Sequence, residues 1–144
     1  MFGSSPEGYN PPGLWRVNPN TGVAETLIVG KTDDDPLVRL VAFPHEAENG
    51  ELRFLLSEQL PNADGIYEWP ARYQLHTLDA AGQPVVVGGA AYAASWEGTW
   101  APDGSGVVFR EVDASTAQMT GQFIFLKADG TEVRLPADGT GPRW

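Results

Sequence analysis

The 144 residues have the length of one ordinary domain, and a hydrophobic content of 42% is enough to bury a core. A net charge of −10 repels phosphate backbones and anionic lipid surfaces, so neither nucleic acid nor membrane is expected as a partner. The absence of cysteine removes disulfides, thiolate metal sites and cysteine nucleophiles.

No basic segment precedes an apolar one at the start, and the longest weakly polar stretch, Val85 to Ser95, is broken by Gly88 and Gly89. Neither a signal peptide nor a membrane span is expected. No window of a dozen residues keeps apolar side chains at helical spacing without an intervening Gly or Pro. The chain is predicted to be all-β.

In chain order, the first predicted hairpin runs from Leu14 to Leu27 and turns at Pro19-Asn20-Thr21-Gly22. The acidic run Asp33-Asp34-Asp35 follows. A second hairpin joins Leu40-Val41-Ala42-Phe43-Pro44 to Leu52-Arg53-Phe54 across a longer turn at Glu48-Asn49-Gly50. An insertion, Glu58 to Pro70, carries Tyr67 and Trp69. Tyr73 to Val86 repeats the first hairpin, with its turn at Ala81-Gly82. Gly98-Thr99-Trp100-Ala101-Pro102-Asp103-Gly104 then leads into Val107-Val108-Phe109 and repeats the second, a proline fixing φ and a glycine permitting its reversal. Phe123 to Leu135, turning at Ala128-Asp129-Gly130, is a third copy of the first.

Two alternating hairpin types with a period of roughly 45 to 60 residues fit a four-stranded propeller blade. Trp100-Ala101-Pro102-Asp103-Gly104 resembles the W-S-P-D-G signature of TolB-like β-propellers, and the resemblance extends over nearly the whole chain; Phe43-Pro44-His45-Glu46 departs from it. A β-sandwich is the competing architecture.

With the strands of a blade named a to d outward from the channel, Gly141-Pro142-Arg143-Trp144 aligns with Glu97-Gly98-Thr99-Trp100. Phe2 precedes Leu14-Trp15 by about as much as Phe109 precedes Phe123-Ile124, which places Phe2 on a strand b. The expected order is b-c-d, a-b-c-d, a-b-c-d, a: three four-stranded antiparallel blades with a circularly permuted break inside one. Blade 1 takes residues 1–29 plus 140–144, blade 2 residues 37–88 and blade 3 residues 94–136. Three blades are too few to close a ring, so the chain is expected to be half of a six-bladed one. The remainder would come from a second copy as a homodimer, with Phe2 and Trp144 as assembly residues, or from further blades.

The resemblance implies a binding face where the b-c and d-a loops emerge. Tyr67 and Trp69, with Asp33, Asp34, Asp35, Tyr92 and Trp96, are the candidate ligand-binding residues there, offering an acidic, aromatic rim to a protein, peptide or glycan. Asp33 to Asp35 could hold calcium through oxygen ligands but lack the D-x-D-x-D-G spacing; no other cofactor is implied. His45 and His76 are expected at different ends of a blade, as surface residues and not as a shared metal or catalytic site. No nucleophile elbow or phosphate-cradling loop is present, so a non-catalytic module is expected. The alternative is a glycan-acting or peptidase-associated propeller with channel carboxylates. A periplasmic or extracellular location is implied by the family resemblance alone.

Overall fold

A computed structural model of the chain describes residues 13–136, without the side chains of Trp96 and Pro136. Phe2 and Trp144 lie outside the described residues. The chain is all-β as expected, with no helix among those residues and antiparallel pairing throughout. The first pair, β1 (Leu14–Val17) and β2 (Ala24–Ile28), is a separate two-stranded sheet. The remaining seven strands pair in sequence order: β3 (Val38–Glu46), β4 (Leu52–Gln59), β5 (Arg72–Leu78), β6 (Pro84–Trp100), β7 (Gly106–Val112), β8 (Met119–Lys127) and β9 (Glu132–Pro136).

The 17-residue β6 decides the shape of this sheet. From Pro84 to Ala93 it pairs with β5, and from Ala94 to Trp100 it pairs with β7. Gly88 and Gly89, at φ 149° and 83°, supply the irregularity where the strand departs from even register. One sheet thereby becomes two four-stranded meanders, β3 to β6 and β6 to β9, that share a strand. The sequence predicts a loop between these meanders, yet the chain stays extended and simply changes partner.

Alternation along β4 shows how the layers stack. Leu55 joins a core with Leu75, Tyr73, Tyr92, Val107, Phe109, Ile124 and Leu126, which draws on both meanders. Phe54 and Leu56 point the other way, with Leu52, against Leu14 and Ile28 of the β1–β2 hairpin. Both faces of the first meander are therefore covered, and each fully buried Leu, Ile or Phe is worth about 1.5–3 kcal/mol.

Every turn that the sequence marked with glycine has that glycine at positive φ: Gly22, Gly50, Gly82, Gly104 and Gly130. An Asn or Asp side chain organises each of them. Asn18, Asn49, Asp79, Asp103 and Asp129 all accept backbone N–H groups through Oδ1 at 2.9–3.3 Å.

The departure seen at Phe43-Pro44-His45-Glu46 has a structural counterpart. These residues do not turn; β3 continues through them to Glu46 with an irregular register between Ala42 and His45, and Phe43 takes φ 49°. The reversal falls at Ala47–Gly50, where Gly50 N–H donates to the Ala47 carbonyl at 2.8 Å.

Candidate functional site

The β4–β5 loop and the β2–β3 turn meet through a hydrogen bond between residues 31 apart in sequence. The Tyr67 hydroxyl donates to the carbonyl of Pro36 at 2.7 Å. Asn62 organises the loop from within: its Oδ1 accepts from Asp64 N–H at 3.0 Å and Ile66 N–H at 2.9 Å. The loop thus has a fixed shape before any ligand arrives. Trp69 follows and stands 69% exposed. The Trp69–Pro70 peptide is cis.

Asp33, Asp34 and Asp35 are exposed, and local hydrogen bonds close their turn. Asp35 Oδ1 accepts from Leu37 N–H at 2.9 Å, while Lys31 Nζ donates to the Thr32 and Asp35 carbonyls at 3.1 and 2.9 Å. The lysine ammonium occupies the side of the turn where carbonyl oxygens would face a cation. Among the described residues no group of three or more His, Asp or Glu side chains is placed to hold a metal.

Tyr92 is not a rim residue. It lies within β6, 3% exposed, with its ring edge-on to Phe109 at 5.6 Å between centroids. Because β6 runs straight on past Gly89, the position that would have been a loop is a core strand position. Burial, reinforced by the hydrogen bond to Glu132, raises the Tyr92 phenol to about 12. Trp96 also lies on β6, and its side chain is outside the described part.

The histidines are packed against aromatic rings rather than left as plain surface groups. His45 stacks on Trp100 at 5.0 Å and His76 on Phe54 at 6.1 Å, in different parts of the fold.

Next to Trp69, between the ends of the two meanders, lies a cavity of about 170 Å³. Ala42, Ala71 and Ala94 form one part of its wall, Tyr73 and Ser95 another. Val112, Ala117 and Met119, from β7, the β7–β8 turn and β8, complete it beside Trp69 and Pro70. Among the described residues no charged side chain lines it. Burial raises the Tyr73 phenol, so that ring stays neutral through the physiological range.

No family model matches the chain. Neither does any curated protein or solved structure. The chemistry of this end of the molecule is therefore what bears on function. It brings together Tyr67, Trp69 and the turn that holds Asp33 to Asp35, and leaves Tyr92 in the core.

The cavity itself was missed in the sequence. Its wall alanines, Ala42, Ala71, Ala94 and Ala117, come from separate stretches of the chain, so no local run of residues marks it. A methyl where a leucine would fill the gap leaves volume behind.

Proposed function

We propose that this chain is a segment of a TolB-like β-propeller that acts as a non-catalytic interaction module, binding a protein, peptide or glycan with its β4–β5 loop and β2–β3 turn. The observation that carries the binding reading is the Tyr67–Pro36 hydrogen bond beside the exposed Trp69. It fixes two loops to one another and leaves a large aromatic facing water, an arrangement suited to contact at low entropic cost.

Support for the blade reading comes from the two successive four-stranded antiparallel meanders and from the β1–β2 hairpin stacked on the first. In that reading the hairpin supplies strands c and d of an earlier blade, and β6 serves as strand d of one blade and strand a of the next.

The outer face of the β6–β9 meander extends the proposal to assembly. Val108 and Phe123 lie on it, already buried within the chain and with the Arg110 guanidinium 5.9 Å from the Phe123 ring centre, but packed into neither of the two inner clusters. Toward its edge Val133 and Leu135 are 42% and 43% exposed. The same side of the preceding meander, bearing Leu55, is covered by a meander of this kind. A second copy of the chain is the occupant proposed for this face, giving a homodimeric six-bladed ring.

The binding reading is tested by screening an array of peptides and glycans with the wild-type protein and with Trp69→Ala. Binders that the variant loses, with folding unchanged by circular dichroism, are the expected result; an identical binding profile for the two proteins would remove it.

A further inference from the structure

The interaction reading leaves open what chemistry the loop end recognises, and the cavity beside Trp69 narrows it. We propose that this cavity is an anchor pocket for one aromatic or branched aliphatic side chain of a peptide whose neighbouring residues are basic. The proposal rests on the interaction reading and adds a ligand class to it.

Volume sets the size of the anchor. An apolar cavity of about 150 Å³ accepts benzene, so the 170 Å³ here matches a single ring or a branched aliphatic group. Chemistry sets its polarity. The walls include Ala42, Ala71, Ala94, Tyr73 and Val112, and among the described residues of the lining none carries a charge to pair with a charged guest. A carboxylate or ammonium would enter without compensation and at a prohibitive desolvation cost. A sugar, with a hydroxyl on nearly every carbon, meets the same difficulty. Among the described wall side chains the hydroxyls are those of Ser95, whose Oγ accepts the Glu97 N–H at 3.1 Å, and Tyr73, too few to pair with the several hydroxyls of a sugar ring.

The mouth favours a peptide. Trp69 and Met119, 69% and 50% exposed, both line the cavity and both reach solvent. A rigid indole supplies contact area at low entropic cost, and a flexible, polarizable thioether adapts its shape to the inserted anchor. Large apolar groups held in water at the entrance of an apolar hole gain by being covered.

Charge at the mouth selects the residues beside the anchor. Glu68 is adjacent to Trp69 in sequence, and Asp113 belongs to the turn that delivers Ala117. Arg72, close by, is held by Glu68 at 3.4 Å, and Glu111 by Arg134 at 2.9 Å. Among the described residues Asp113, next to Val112 of the wall, accepts from its own turn, Ser115 and Thr116, and is paired with no cation. With the whole chain at −10, arginines or lysines flanking the anchor gain attraction over the approach and at the site.

The test uses the full chain carrying labelled alanine methyls and three capped tripeptides: phenylalanine between two arginines, alanine between two arginines, and phenylalanine between two glutamates. The arginine-flanked phenylalanine is expected to shift the methyls of Ala42, Ala71, Ala94 and Ala117 saturably. The other two should bind at least tenfold more weakly. Ala71→Leu, which fills the cavity, should abolish these shifts; should that variant fail to fold, Met119→Ala at the exposed mouth should weaken binding by about fivefold or more. Equal binding by the alanine tripeptide, or saturation with no change at the cavity alanines, overturns the pocket. A Trp69-dependent glycan with no tripeptide binding leaves the interaction reading standing and overturns only the anchor.

Discussion

The indole Nε1 of Trp100 donates to the main-chain carbonyl of Phe43 at 2.6 Å, linking residues 57 apart in sequence. Trp100 ends β6 and Phe43 interrupts the register of β3, so the bond fastens the first strand of one meander to the shared strand of the other. The same indole carries His45 stacked at 5.0 Å. Trp100→Phe keeps most of the packing and removes the donor, leaving a partly buried carbonyl without its partner. Urea unfolding should show a loss of about 1–3 kcal/mol, larger than for His45→Ala. A change below a few tenths of a kcal/mol would mean that water replaces the indole without penalty.

Phe43 also explains a glycine. A Cβ on Gly98 would stand 2.5 Å from Phe43 Cζ and 3.0 Å from Phe109 Cβ. Gly98→Ala should therefore cost about 1–3 kcal/mol through overpacking, as the Phe43 ring is held at 6.2 Å from Phe109 in the core and has little room to retreat. Ala117 offers the opposite case. It takes φ 57° in the Asp113–Gln118 turn, so Ala117→Gly should leave stability unchanged or raise it by about 0.5–1 kcal/mol in the same assay.

The fold class and most of its turns were legible in the sequence because they depend on local chemistry. Glycines at positive φ with an Asn or Asp one to four residues before them mark the reversals at Gly22, Gly82, Gly104 and Gly130 whatever the tertiary context. What was illegible depends on distant partners. The Gly88-Gly89 pair reads as a break, yet β6 passes through it because β7 is waiting to pair with the next segment. Tyr92 was placed on the rim for that reason and belongs to the core. Phe43 reads as the end of a strand, and only its contacts with Trp100 and Phe109 show why the strand goes on. At the candidate site, Tyr67 and Trp69 were visible as aromatics on a long insertion. The cavity beside them arises from alanines of different strands and leaves no local pattern.

Alkaline titration should show Tyr92 ionising late, alongside the buried Tyr73. The Tyr92 phenol is raised from 10.0 to about 12 by burial first and by Glu132 second. The raised value belongs to the folded state, so the corresponding stability is fully present below pH 10 and is lost as pH rises toward 12. Tyrosinate absorbance should show part of the four-tyrosine total ionising late, together with loss of strand signal in circular dichroism. Tyr92→Phe should move that loss to higher pH.

Three exposed aspartates set the acid side. Asp103 and Asp113 are held below the usual carboxylate range chiefly by the hydroxyls of Ser105 and Ser115, and Asp129 chiefly by the Thr131 N–H. Their contribution is present above the unfolded carboxylate value, about 3.9, and disappears as pH falls through the lower folded values. Carboxyl-carbon chemical shifts followed by NMR should give midpoints below the ordinary value at these three positions. Midpoints at or above it would show that the turns are not held by these bonds in solution.

The outer face of the β6–β9 meander concentrates the whole proposal into one number, the mass of the particle in solution. Light scattering at micromolar concentration should give twice the 15.5 kDa of the chain, and glutamate at Val133 and Leu135 should reduce it to the mass of one. A wild-type protein that stays monomeric and folded under those conditions would contradict assembly through this face, and with it the reading of these sheets as half of a ring.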